Sequence, residues 1–164
     1  MTSRVLQDKQ AHNLSKHLIY LIRHGKAGDR TDVIGEELVR PLTKKGSIQA
    51  IHLADFLAGW PLTRIISSPY LRCIQTVQPL SGKNKVPLET TNVLGEVTSK
   101  SNLVELLEAI TKTPGAAALC THGNIIPEIL HILGLYSSKT LLCEKGSLYI
   151  VDLEASTANY YNEF

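Results

Sequence analysis

Two histidines and two arginines stand in short segments suited to an anion. They are Arg23-His24-Gly25, the segment Ser67-Ser68-Pro69-Tyr70-Leu71-Arg72, and His122-Gly123-Asn124. Arginine presents a planar fork of N–H donors that clamps phosphate through two parallel bonds. Imidazole is a competent nucleophile near neutral pH, its reference pKa being about 6.5. The combination points to phosphoryl transfer. His24 attacks phosphorus and forms a phosphohistidine, splitting one difficult displacement into two easier ones. Arg23, Arg72 and a protonated His122 then neutralise charge on the equatorial oxygens. Gly25 and Gly123 carry no side chain and let the backbone approach the phosphate closely. The departing oxygen needs a proton, and Glu96 in Leu94-Gly95-Glu96 is the carboxyl assigned to supply it. Asn124 and Arg30 complete the expected substrate contacts, whereas Lys26 and Arg40 read as surface charges.

Residues this far apart in the chain need elements to bring them together. His17-Leu18-Ile19-Tyr20-Leu21-Ile22 is an apolar run that predicts a strand buried on both faces. Lys26 to Pro41 is polar, with Gly28, Asp29 and Gly35 as turn formers, and predicts a long loop. Thr43 offers an N-cap, and Ile48, Ile51, Ala54, Leu57 and Ala58 recur at helical spacing up to Gly59. Leu62 to Ser67 predicts a second strand. Ser68 as N-cap with Pro69 at the first helical position opens a helix carrying Leu71, Ile74 and Val77, ended by Pro79 or Gly82. A short edge strand is expected around Val86-Pro87-Leu88. Asn102 with Glu105 forms a capping-box pattern ahead of Leu103, Leu106, Leu107 and Ile110. Ala116 to Thr121 predicts another buried strand. Asn124 caps a helix that Gly134 ends, with Pro127 tolerated in its first turn. Ser147 to Leu153 and Asn159 to Phe164 predict a terminal hairpin.

Strands alternating with helices mean an α/β fold, with a mostly parallel sheet covered on both faces. In such a sheet ligands bind beyond the carboxyl ends of the strands, so the segments at residues 24, 72 and 122 should share one rim. Two helix N-termini, after Ser68 and Gly123, add dipoles that favour an anion there.

A chain of 164 residues with 43% hydrophobic and 20% charged residues can enclose one core, as a single domain of ordinary size does. Residues 1–16 are expected to form a flexible leader and residues 17–164 the domain. The formal charge of +2 is too small to suggest a nucleic-acid or membrane partner. Apolar runs fall short of the roughly 20 residues of a membrane span. The three cysteines, Cys73, Cys120 and Cys143, show no CxxC spacing and read as small hydrophobes in a reduced, cytoplasmic protein. No HExxH, His-x-x-x-His or carboxylate cluster suggests a metal site, and no G-x-G-x-x-G follows the first strand. Neither a metal nor a cofactor is therefore expected. His52 and His131 fall within helices as packing or surface residues.

Taken together and in this order, Arg23-His24-Gly25, Ser-Ser-Pro-x-x-Arg ending at Arg72, Leu94-x-Glu96 and His122-Gly123-Asn124 resemble the motifs of the histidine phosphatase superfamily. That group contains the cofactor-dependent phosphoglycerate mutases and acid phosphatases. The resemblance covers roughly His17 to Leu153. It implies a phosphoglycerate mutase-like three-layer sandwich, phosphorylation of His24, a phosphate pocket of Arg23, Arg72 and His122, and Glu96 as proton donor.

The short length resembles the compact SixA-like phosphohistidine phosphatases. The run Arg23 to Arg30, with Arg40-Pro41-Leu42-Thr43, also resembles the domain that follows a Nudix domain in some actinobacterial proteins; Met1 to Lys16 is too short to be a Nudix domain. The mutases differ in their continuation after Gly25, which here is Lys26-Ala27, and in a large insertion that the region after Glu96 lacks. The expected substrate is accordingly a phosphohistidine protein or a small phosphorylated metabolite. A mutase-like phosphotransferase and a non-catalytic phospho-ligand module are the alternatives.

Overall fold

The computed structural model describes residue 10, residues 15–136, residues 141–162 and residue 164. The expected leader, residues 1–16, falls outside these except at residues 10, 15 and 16. The order of elements is β1 (His17–Arg23), α1 (Ile34–Val39), α2 (Lys44–Phe56), β2 (Arg64–Ser67), α3 (Leu71–Asn84), β3 (Leu88–Thr90), a 3-10 turn (Asn92–Leu94), α4 (Lys100–Thr111), β4 (Gly115–Thr121), α5 (Ile125–Ile132), β5 (Leu148–Asp152) and β6 (Thr157–Tyr161).

The strands form one six-stranded sheet in the order β3-β2-β4-β1-β5-β6. β3, β2, β4 and β1 run parallel, and the β5–β6 hairpin joins antiparallel to β1. β1 is flanked on both sides, which is why Leu18 to Ile22 are all buried. Its alternating side chains divide the interior in two. Leu18, Tyr20 and Ile22 pack with Leu53, Leu57, Val77 and Leu80 of the α2–α3 layer. Ile19 and Leu21 pack with Leu103, Leu107, Ile126 and Ile129 of the α4–α5 layer. The result is the expected α/β sandwich of three layers. Among the described residues no helix is long and apolar enough to cross a membrane.

Several local expectations need correction. The stretch read as a loop contains α1, because its buried residue is Glu37 rather than an apolar one. α2 begins at the expected cap, Thr43 accepting from Gly46 N–H, but it is rotated: Ile48 and Ile51 face solvent while Ala50, Leu53 and Ala54 face the core. α3 starts at Leu71 rather than after Ser68, and Pro79 lies inside it, the helix ending with Lys85 in a left-handed conformation. α4 is capped by Ser99, whose hydroxyl accepts from Asn102 N–H, so Asn102 is a residue of the first turn. Asn124 precedes α5 without a side-chain cap bond.

Candidate active site

The parallel register sets the site. Arg23 pairs with Thr121, and Ser67 with Cys120, so β1, β2 and β4 end on one line. His24 N–H continues the ladder to Thr121 O at 3.1 Å, and Ser68 N–H to Cys120 O at 2.9 Å. The chain then turns at each strand end, and His24, Arg72 and His122 converge there as expected.

The His24 and His122 rings lie 5.3 Å apart between centroids, at 64°. His24 Nδ1 is 2.8 Å from Gly25 O. A carbonyl only accepts, so Nδ1 carries the hydrogen and Nε2 keeps its lone pair. Burial, followed by the charges of Arg72, Arg23 and Arg40 and opposed by the Gly25 bond, lowers the His24 pKa to about 4. The ring is therefore neutral at physiological pH.

His122 is also neutral without ligand. Burial, helped by His24, Arg72, Arg30 and Arg40, brings its pKa down to about 2. Its Nε2 is 2.9 Å from Ser68 Oγ, and its Nδ1 makes a long contact of 3.4 Å with Arg72 Nη2. The guanidinium can only donate, so Nδ1 accepts and Nε2–H donates to Ser68. The protonated His122 expected against a bound phosphate is thus not the form of the ligand-free protein. The Nε2–H bond also gives Ser68 its actual task, which is orienting His122 instead of capping a helix.

Arg72 is fully buried and held by two carboxylates. Nη1 donates to Glu37 O at 2.9 Å and lies 3.2 Å from Glu37 Oε1, while Nη2 donates to Glu96 Oε1 at 2.9 Å. Its Cζ lies 4.6 Å from the centroid of the Tyr70 ring, whose edge also meets His122. Arg23 Nη1 donates to Cys143 O, and its guanidinium is stacked so closely on Gly123 that a Cβ there would come within 2.8 Å of Cζ. The Nε groups of Arg23 and Arg72 are buried with no hydrogen-bond partner among the described residues.

Glu96 bridges Arg72 and Arg30, its Oε2 accepting from Arg30 Nη2 at 2.9 Å, and its Oε1 lies 3.5 Å from His122 Nδ1. Asn124 Nδ2 donates to Glu96 O at 2.9 Å, so the amide steadies the Glu96 turn. Thr121 Oγ1 adds a bond to Leu94 O at 2.7 Å.

These groups open into a cleft of about 740 Å³ lined by Arg23, His24, Arg30, Glu96, His122, Gly123 and Asn124, among others. Arg40 and Lys26, expected as surface charges, line it too. Gly25 lies behind the cleft: its N–H donates to Thr76 Oγ1 at 2.9 Å, and a Cβ would meet Gly46 O at 3.0 Å. Sequence reasoning missed Glu37, Ser68, Tyr70 and Thr76, which hold the expected residues in place. The one available signal was Glu37 with Arg40, spaced three apart on a potential helix face. Among the described residues no group of three or more His, Cys, Asp or Glu could hold a metal ion.

A six-stranded mixed sheet with paired histidines at its parallel rim defines a class, and the sequence agrees: residues 19–101 match the histidine phosphatase superfamily (branch 1). The chain belongs to that superfamily. Among its relatives is an 8-oxo-(d)GTP phosphatase of Mycolicibacterium smegmatis, 32% identical over 116 residues, a match covering 68% of this chain and 36% of the relative. The chain thus spans about a third of that relative's length. In fold it resembles a SixA protein of Agrobacterium tumefaciens, with a TM-score of 0.71 at 19% identity, covering 91% of this chain and 99% of the other. It also resembles the protein histidine phosphatase SixA solved with tungstate, with a TM-score of 0.68 at 20% identity over 88% and 94%.

Proposed function

We propose that this protein is a phosphatase that passes a phosphoryl group through His24 to water, with a small phosphorylated molecule as substrate. The observation that carries this reading is the locked state of His24, a neutral ring whose Nδ1–H is tied to Gly25 O while Nε2 remains free to attack. Nε2 forms a bond to phosphorus as the bond from phosphorus to the leaving oxygen breaks. Arg23, Arg72 and the backbone at Gly123 hold the transferring group. A dianion beside Nδ1 of His122 offsets the surrounding cations and draws a proton onto that ring, which then donates to the phosphate. Water next attacks the phosphohistidine, releasing phosphate and restoring Nε2.

Glu96 is the proton donor in this scheme. Both its oxygens accept from arginines in the free protein, and the proton it passes to the leaving oxygen returns to it from the attacking water. The cationic lining of the cleft supports an anionic small molecule, as does a relative named for a nucleotide substrate.

Brief mixing with p-nitrophenyl phosphate followed by quenching should leave acid-labile, base-stable phosphate on the wild-type protein and none on His24→Ala. Steady-state turnover of the variant should fall by about a thousandfold or more. Labelling of His24→Ala at the wild-type level would remove His24 as nucleophile. Much faster turnover of a phosphohistidine protein than of any small ester would replace the small-molecule substrate with the protein one.

A further inference from the structure

The cations around the cleft are unevenly compensated. Arg30 is paired with Glu96, Arg40 with Glu37, and Arg72 with both carboxylates. Lys26 and Lys145, which also line the cleft, have no ion pair among the described residues. Both lie close to His24 along the chain or across it: Lys26 follows β1 two residues after His24, and Gly146, next to Lys145, donates to Arg23 O at 3.2 Å and His24 O at 3.0 Å. The carboxylate-bearing side, with Glu96 and Asn124, lies along β4. The transferring phosphate is already provided for by Arg23, Arg72 and the two histidines. Lys26 and Lys145 are left over, away from Glu96, with Asp29 the other carboxylate of the lining.

Their backbones are also held in place. Gln49, half-buried on α2, accepts from Lys26 N–H through Oε1 at 2.9 Å and donates through Nε2 to Lys145 O at 2.7 Å. One side chain thus ties together residues 26 and 145, which are distant along the chain. Thr43 clasps Lys26 O with both N–H and Oγ1, at 2.8 and 2.9 Å. The glycines around this clamp leave no slack. A Cβ on Gly146, whose φ is +83°, would come within 2.9 Å of the Gln49 amide, and one on Gly46 within 2.1 Å of Lys26 O. A backbone fixed on both sides of the cleft leaves less freedom to be lost when the two lysines grip a ligand.

We propose that Lys26 and Lys145, positioned by Gln49, form a second anion subsite that takes an additional phosphate group of the substrate. The preferred substrate then carries two phosphates, one aligned on His24 and the other on the lysines. This inference rests on the phosphatase reading for the first phosphate but not on turnover for its test.

The experiment compares orthophosphate, inorganic pyrophosphate and propane-1,3-diyl bisphosphate by titration calorimetry at fixed ionic strength. Wild-type protein should bind at least one of the two-phosphate ligands about tenfold more tightly than orthophosphate; which one binds tighter reports the spacing between subsites. In Lys26→Ala/Lys145→Ala that preference should fall to about twofold or less, with orthophosphate affinity nearly unchanged. Gln49→Leu should lose part of the preference with both lysines still present. Lys44→Ala/Lys45→Ala, which removes two α2 lysines outside the cleft lining, should keep it. Three results would overturn the subsite: no preference in the wild type, equal loss for all three ligands in the double variant, or equal loss in the Lys44/Lys45 control. Loss of p-nitrophenyl phosphate turnover is a separate readout, so failure of the phosphatase reading would not be mistaken for failure of the subsite.

Discussion

At the scale of single residues, the site depends on where atoms are absent as much as on where they are present. Gly123 has no Cβ, and the Arg23 guanidinium occupies that space; an added methyl would lie 2.8 Å from Cζ and 2.9 Å from Nε. Gly123→Ala should therefore push the guanidinium out of line while leaving the packed sheet intact. Displacements of about 1 Å at a catalytic group cost on the order of a hundredfold, and kcat/KM of the variant on p-nitrophenyl phosphate should fall by about that factor. A value within about threefold of wild type would show that Arg23 does not depend on this gap. The glycine was legible in the sequence, because His-Gly following a buried strand announces a close approach. What Arg23 does with that space was not, since the contact spans a hundred positions of chain. The same holds for Ser68. Its position before a proline reads as a helix cap, yet its hydroxyl is 2.9 Å from His122 Nε2. A partner across the sheet outcompetes the local bond, and no pattern of neighbouring residues records it.

At the scale of elements, α1 shows why part of the site was hidden. Its apolar residues point outward, Ile34 being 83% and Val39 60% exposed, while Glu37 is buried at 7%. Hydrophobic periodicity finds helices by their apolar stripe, so a helix docked by its charge is invisible to it. Glu37 joins Arg40 and Arg72, and these pairs hold its carboxyl below the usual range, the Arg40 bonds contributing most. Glu37→Gln should strand the Arg72 charge in a fully buried position. Breaking one side of a buried pair typically costs about 3–5 kcal/mol. Arg72 retains Glu96, so the lower part of that range is expected here. Urea denaturation measures the loss, and kcat should drop with it because Arg72 loses its fixed direction. Unchanged stability would mean that Glu96 and the Glu37 carbonyl suffice to hold Arg72. Glu37→Asp, which keeps the charge on a shorter arm, should recover part of both losses. Elements with apolar runs or stripes were legible by contrast: β1, β4, α4 and the terminal hairpin lie within a few residues of where they were expected, although Ser99 rather than Asn102 caps α4.

At the scale of the whole molecule, enclosing two imidazoles at the rim of the sheet sets the acid limit of stability. Folded His24 and His122 have pKa values near 4 and 2, against 6.5 when exposed. Below about pH 6.5 the unfolded chain binds protons that the folded chain refuses, so folding weakens as pH falls. Each histidine contributes stability that is complete above the unfolded pKa and is lost toward the folded one at up to about 1.4 kcal/mol per pH unit. Glu37 acts in the same direction but only below the ordinary carboxyl value of 4.5, since its folded pKa is lowered. The window from pH 7 to pH 5 lies above the Glu37 range, and comparison with a variant lacking both rings isolates the two imidazoles within it. Urea titrations across it should show a steep decline in the wild type and a much flatter one in His24→Asn/His122→Asn, whatever the absolute stability of that variant. Equal slopes would mean that the rings take up protons inside the folded protein, and the neutral nucleophile would lose its basis. Saturating vanadate should shrink the decline between pH 7 and pH 5 as well. An anion seated between the rings raises their folded pKa values toward the unfolded one, which removes the very difference that makes acid destabilising.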